Sequence, residues 1–215
     1  MTTASPVAEP KPYHHGDLRR ALVDAAVMIV ERDGPTGLTL RAVAREAGVS
    51  PAAPYHHFKD KDELLYAVAK EGFRRQRHTM LAANDGGPAG PRAMGVAYVE
   101  FAHAHPSLYR VMYDSARKRE IIPDSEEQNE GGLMLMRKAL VEASGGKINE
   151  LDLGLSAVAG WCVAHGLAEI STFPQFKQLK EALGGERAFL QAVFDHFGYL
   201  YRHNTGQSPE PPKEA

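Results

Sequence analysis

The chain has 215 residues, 43% hydrophobic and 24% charged, a balance that supports a packed core in one medium or two small domains and excludes wholesale disorder. Its single cysteine, Cys162, excludes an internal disulfide and a cysteine-rich metal cluster, and no apolar run reaches about 18 residues, which argues against a membrane span. The formal net charge is -2, but residues 1–80 hold 12 Lys/Arg against 10 Asp/Glu, and the rest 13 against 17, so an anionic partner would have to be met by local placement of charge.

Residues 1–14 are Pro-rich and aperiodic and read as a flexible arm; lacking a continuous apolar stretch, they do not resemble an export signal, so a cytoplasmic location is expected. GDLRRALVDAAVMIVERDG reads as a helix with Leu18, Leu22, Ala25 and Ile29 on one face, Asp17 as its cap, and Gly34, Pro35 and Gly37 ending it. TLRAVAREAG is a second, short helix capped by Thr39, with Leu40, Val43, Ala44 and Ala47 at i, i+3, i+4, i+7. Gly48 stops it and Val49 turns inward. Ser50 is expected to cap a third helix over about Pro51–Phe58, with Pro51 at its first position. The D-x-x-E box Asp60–Glu63 opens a fourth helix that buries Leu64, Leu65 and Val68.

Residues 84–91 (NDGGPAGP) form a loop and the clearest boundary. Helical stretches come next at AMGVAYVEFAHAH, at SLYRVMYD after Pro106, and at GGLMLMRKALVEA, with a charged, mostly loop segment SARKREIIPDSEEQNE between the last two. LDLGLSAVAGWCVAHGLAEI is apolar nearly throughout and is predicted to be buried on more than one face. Helices over about 177–183 and 186–202 precede a tail, 204–215, expected to be disordered. With no clean alternation beside a hairpin turn, the fold class is all-α, with eight to ten helices.

Helix, Gly-Val-Ser turn and short helix make a helix-turn-helix: Ala44 and Ala47 let two helices cross closely, and the glycine permits the turn. The second helix of such a motif offers its first residues to base edges in the major groove, here Ser50, Pro51, Ala52, Tyr55 and His56. Arg41, Lys59 and Lys61 would neutralise phosphates, Thr39 and Tyr55 would donate hydroxyl hydrogen bonds, and helix N-termini near 39–41 and 61 would receive phosphate oxygens. Phe58 reads as core and His57 as a packing histidine. Adjacent histidines point different ways and no carboxylate or cysteine lies at matching helical spacing, so no metal is expected, and no cofactor. Pro54 stands out: it cannot donate to the Ser50 carbonyl and biases Ala53 away from the α region, so an irregular or 3₁₀-like start is expected.

The stretch from Leu38–Thr39 to Leu64, with TL-x-x-V-A, AGVS, Tyr55…His57–Phe58 and K-D-E-L-L, resembles the DNA-binding signature of the tetracycline-repressor (TetR) family. YHHGDLRRALVDAA resembles the first helix of one branch, and Trp161–Cys–Val–Ala–His165–Gly166 resembles that branch's W-x-x-x-H-G signature. The resemblance implies a three-helix DNA-binding unit with a linker helix over 15–80 and a helical regulatory and dimerisation domain over 90–203. It also implies double-stranded DNA as a partner, a homodimer, and a small-molecule effector. Members commonly carry a leucine-like residue where this chain has Pro54.

An apolar wall with isolated polar groups, from Tyr98, Phe101, His105, Tyr109, Met112, Tyr113, Met134, Leu135, Trp161 and His165, suits a ligand pocket and equally suits a plain helical core. Trp161 and His165, at i, i+4, share a face, either as core or as ligand contacts, and His103 and His105 diverge on a helix. The family pattern places Leu153, Ala157, Phe189, Val193 and Phe197 in a four-helix dimer interface. Cys162 and His165 are three apart in an apolar run with nothing to orient the imidazole, so catalysis is not expected. A repressor released by a small, largely apolar ligand is the favoured reading; an activator, or a DNA-binding protein that senses no ligand, shares the same architecture.

Overall fold

A run of apolar side chains at three- and four-residue spacing needs a second such face to cover it, and the chain answers with helices throughout. A computed structural model describes residues 15–87, 89–118 and 132–204. Among these, nine α-helices occur in chain order: α1 His15–Gly37, α2 Leu40–Glu46, α3 Lys61–Ala83, α4 Gly90–Ala104, α5 Pro106–Lys118, α6 Gly132–Ala143, α7 Glu150–Ile170, α8 Lys177–Leu183 and α9 Glu186–Asn204. Two 3₁₀ turns, Ala53–His56 and Pro174–Phe176, complete the described elements. The expected arm, the tail and most of the charged stretch after α5 lie outside the described residues.

Local chemistry sets the helix ends. Thr39 caps α2, its hydroxyl oxygen accepting the Ala42 N–H at 3.0 Å. Asp60 caps α3 by accepting the Glu63 N–H at 2.8 Å, while Glu63 reaches back to the Lys59 N–H at 2.8 Å, one residue earlier than in the usual reciprocal box. α1 already runs from His15, so Asp17 lies inside it, and the helix kinks at Gly34 before Pro35.

Two cores share three helices. The first gathers Leu22, Ile29, Leu38, Val43, Phe58, Leu64 and Val68 from the N-terminal elements together with Phe101, Leu108 and Met112 from α4 and α5. The second gathers Met80, Met94, Tyr98, Leu135, Ala157, Leu167 and Leu190 from α3, α4, α6, α7 and α9. α3 itself runs through both cores. At their crossing, α5 lies so close to α3 that a Cβ on Gly72 would stand 2.6 Å from Met112 Cγ.

One expectation is overturned in this chain taken singly. α7 buries only Leu153, Ser156, Ala157, Ala164 and Leu167, one face, and leaves Leu151, Leu155, Val158, Cys162 and Ile170 in solvent. By length and composition α7 is long and apolar enough to cross a bilayer, although Asp152 and Glu169 break its uncharged run short of 18 residues.

Candidate nucleic-acid interface and C-terminal polar cluster

The Gly-Val-Ser turn is built as its residue types require. Gly48 adopts φ 66°, left-handed backbone that a Cβ disfavours, and Val49 folds back, donating its N–H to the Ala44 carbonyl at 2.9 Å while packing on the first core.

The segment after this turn is not an α-helix. The expected third helix over Pro51–Phe58 is replaced by a turn at 51–52 and a 3₁₀ segment at Ala53–His56. Pro54 supplies the reason. The Ser50 carbonyl, denied an N–H four residues on, accepts from Ala53 at 3.0 Å, and the Ala52 carbonyl accepts from Tyr55 at 3.1 Å. Ser50 does not act as a side-chain cap: Ala52 occupies the cap position and no side chain bonds there.

Side chains three apart eclipse in a 3₁₀ helix, and the burial has that period. Pro54 is buried and His57 half-buried on the inner edge, while Ala52 and Tyr55 share an outer edge and His56 a second. Pro54 thus packs inward, away from the exposed Ala52, Tyr55 and His56. Phe58, 1% exposed, locks the segment's end beneath the Arg19 guanidinium, 5.0 Å from its ring. His57 packs its ring beside that of Phe58.

Of the nine residues expected to touch nucleic acid, Thr39, Arg41, Ser50, Pro51, Ala52, Tyr55, His56 and Lys59 are exposed and Lys61 is half-buried. Tyr55 keeps 55% of its surface in solvent on a backbone braced from behind. The unit is cross-tied by Arg32 to Glu46 at 3.1 Å, joining α1 to α2, and by Arg75 to Asp24 at 2.9 Å, joining α3 to α1.

The wall expected in the C-terminal half is dispersed over several places. Tyr98 on α4, Tyr109 and Tyr113 on α5, and His165 on α7 meet through their polar ends. The Tyr98 hydroxyl lies 3.1 Å from that of Tyr109 and 2.5 Å from that of Tyr113, and His165 Nδ1 lies 2.7 Å from the Tyr109 hydroxyl. Trp161 joins them, its ring 6.3 Å from that of His165. Burial pushes the Tyr98 and Tyr113 phenols well above the usual tyrosine range, so both stay protonated and able to donate.

Phe101 and Met112 sit elsewhere, in the first core. His105 is in the joint between α4 and α5, its ring tilted against that of Phe101 and hydrogen-bonded to Glu31 on α1. His103 diverges, as two positions on a helix require, and contacts the Ser171 hydroxyl at 3.1 Å. Met134 lines a separate open groove of about 280 Å³ between α6 and α7, beside Arg137, Lys138 and Leu153. Leu135 is core.

Three of the residues assigned to a dimer interface, Leu153, Ala157 and Phe189, are at most 4% exposed inside this one chain, whereas Val193 and Phe197 on α9 remain half-buried. Gln76 was not singled out from the sequence. Its place at i+4 between Gly72 and Met80, in an otherwise apolar line of α3, is the signal that marks it. Among the described residues, no group of three or more His, Cys, Asp or Glu is placed to hold a metal ion.

Comparison with known proteins joins the two halves. Residues 22–68 match the model for bacterial regulatory proteins of the tetR family, and residues 92–197 match a tetracyclin repressor-like C-terminal domain. The HTH-type transcriptional regulator BetI of Rhizobium meliloti (strain 1021) is 32% identical over 109 residues, 47% of this chain and 53% of the relative. An HTH-type regulator of Haemophilus influenzae is 36% identical over 98 residues, 44% of this chain and 48% of the relative. The chain spans about half the length of these curated relatives. A protein of unknown function from Rhodococcus sp. RHA1 superposes with a TM-score of 0.64 at 33% identity, covering 90% of this chain and 98% of that one. A transcriptional regulator from Pseudomonas aeruginosa PAO1 shares the fold at 20% identity, with a TM-score of 0.63 over 90% of this chain and 95% of that one.

Proposed function

The chain belongs to the TetR family of regulatory proteins, and from that premise we propose that it regulates transcription by binding a palindromic operator as a homodimer. In this reading it is a repressor, released when a small, largely apolar ligand binds the C-terminal half, and a member of the W-x-x-x-H-G branch acting in the cytoplasm.

The observation that carries the DNA contact is the alternation of burial along residues 39–61. Leu40, Val43, Ala44, Pro54 and Phe58 are buried, and between them Arg41, Ser50, Pro51, Ala52, Tyr55, His56 and Lys59 face solvent on braced backbone. The reading surface carries no long bidentate side chain at its front. Selectivity then comes from methyl contacts with Pro51 and Ala52, from Tyr55, His56 and Arg41, and from DNA shape. Thr39, Lys59 and Lys61 set the register on phosphates.

A single 3₁₀ segment covers few base pairs, and pairing about a two-fold axis doubles the contact. Support for pairing lies on α7, where Leu151, Leu155, Val158 and Cys162 recur at i, i+4, i+7, i+11 as an outward apolar stripe, 72% and 57% exposed at the two leucines. That stripe, with Val193 and Phe197 of α9, replaces the buried Leu153, Ala157 and Phe189 as the surface a second copy would meet.

Release requires that a ligand favour the conformer in which the two reading segments are wrongly spaced for successive major grooves. The coupling path favoured here is α5, which packs on α1 and α3 below and meets α7 through the tyrosine cluster above. An activator, or a regulator that senses no ligand, uses the same surfaces and differs only in this last step.

The test is the salt dependence of binding to a labelled random-sequence duplex, read by fluorescence anisotropy. Affinity that falls linearly on a log–log plot with salt is expected, with a slope of about -0.9 per phosphate neutralised. Binding absent even at low salt would contradict the proposal.

A further inference from the structure

The C-terminal cluster has chemistry that the coupling role alone does not need. Among the described residues, the polar groups that meet here are three phenols, an imidazole and an indole, which are donors and acceptors and not carboxylates, ammoniums or guanidiniums. Their rings pack close, Tyr109 tilted against Tyr113 at 4.8 Å and Tyr113 edge-on to His165 at 4.8 Å.

Gln76 adds a second, independent observation. It is 4% exposed, and its amide Nε2 has no hydrogen-bond partner, a costly state for a buried donor. Its neighbours on the same face of α3 pack on the cluster's own residues. Phe73, three residues before it on the same face of α3, packs edge-on against Tyr113 at 5.6 Å. Met80, four residues after it, belongs to the same core as Tyr98 and Tyr109. Trp161, on the flank of α7 and 38% exposed, carries the cluster to the surface.

We propose that this cluster recognises a neutral aromatic molecule bearing a hydroxyl or carbonyl oxygen. The ring lies among Tyr109, Tyr113 and Trp161, and the oxygen accepts from the Gln76 amide and exchanges hydrogen bonds with the Tyr98 and Tyr113 hydroxyls. A carboxylate or phosphate ligand would gain no ammonium or guanidinium partner from these described groups to offset its desolvation. Insertion here parts α5 from α7 at the Tyr109–His165 contact. The proposal rests on the reading of this half as a sensor and names the class of molecule sensed.

Trp161 is the only tryptophan in the chain, so its fluorescence reports on the site directly. The full chain is titrated with phenol, acetophenone and 4-hydroxyacetophenone, with benzoate as the charged counterpart. Saturable change with at least one neutral probe is expected, with benzoate at least tenfold weaker. Gln76→Leu and Tyr98→Phe are each expected to weaken that probe by about tenfold, and Gln76→Leu, which removes the unpartnered amide, to leave the thermal midpoint unchanged or raised. No saturable change with any neutral probe, benzoate binding as tightly, or affinity untouched by both substitutions would overturn the proposal. A probe that binds in this way yet leaves the protein on DNA would instead overturn the sensor reading and keep the site; release by a compound whose action ignores both substitutions would do the reverse.

Discussion

His105 Nδ1 lies 2.8 Å from Glu31 Oε1, tying the joint between α4 and α5 to α1. His105 is therefore a bracket between the two halves. A half-exposed pair of this kind is worth up to about 1 kcal/mol. His105→Ala is expected to lower the thermal midpoint by about 2–4 °C and to leave binding of neutral aromatic probes intact. Lost probe binding at an unchanged midpoint would return His105 to the ligand wall.

On the DNA face, Tyr55→Phe and Lys59→Ala are expected to weaken DNA binding without changing oligomeric state. Lys59→Ala removes one phosphate contact, so the slope of log affinity against log salt should fall by about one. Anisotropy titrations at several salt concentrations, beside sedimentation of the same samples, separate these effects. Unchanged affinity for both variants at physiological salt contradicts the roles given to them.

The two faces of α7 make a paired test. Leu155, 57% exposed, lies on the outward stripe, whereas Leu153, 4% exposed, is core. Leu155→Glu is expected to yield a folded monomer in sedimentation, with DNA affinity reduced at least tenfold. Leu153→Ala is expected to cost about 2–5 kcal/mol of stability and leave the surviving folded protein dimeric. A dimeric Leu155→Glu protein would move the interface elsewhere.

At the crossing of α3 and α5, a methyl on Gly72 would meet Met112 Cγ at 2.6 Å and Sδ at 2.7 Å, with Met112 fully buried. Gly72→Ala is expected to destabilise the fold by about 1–3 kcal/mol through overpacking, measured by denaturant unfolding. No loss of stability would mean that the two helices stand further apart.

Glu71 gives a pH dependence of known sign. Two hydrogen bonds from Arg74, at 2.7 and 2.8 Å, with Arg75 adding a third, hold its carboxyl below the usual range. A depressed carboxylate stabilises the fold above its unfolded pKa of about 4.3 and loses that contribution as pH falls through the folded value. The thermal midpoint of Glu71→Gln is expected to lie below that of the unaltered chain at pH 7, with the gap closing below about pH 4. A gap that persists at pH 3 would assign the effect to packing.

The fold was legible because its punctuation is local. Thr39, Gly48, Asp60 and Glu63 act within a few residues of themselves, and α8 falls on 177–183 as its sequence pattern predicts. The 3₁₀ segment was half legible: the missing Pro54 N–H foretold an irregular start, but only the buried ring shows why the whole segment stays tight. The wall of the C-terminal half was legible as composition and not as placement. Whether Phe101 and Met112 serve the first core or the second depends on the crossing of α4 and α5 over α3, a long-range matter that helical period does not encode. The same limit applies to Leu153 and Leu155, two residues apart in one apolar run, whose opposite fates are set by where α4 and α6 lie.

The central claim is that residues 39–61 read DNA as a two-fold pair, and selection of bound duplexes from a random pool tests it most directly. Enrichment of a palindrome whose half-sites lie about one or more helical turns apart, lost with Leu155→Glu, is the result expected. Recovery of no preferred sequence, or of one without two-fold symmetry, would contradict it.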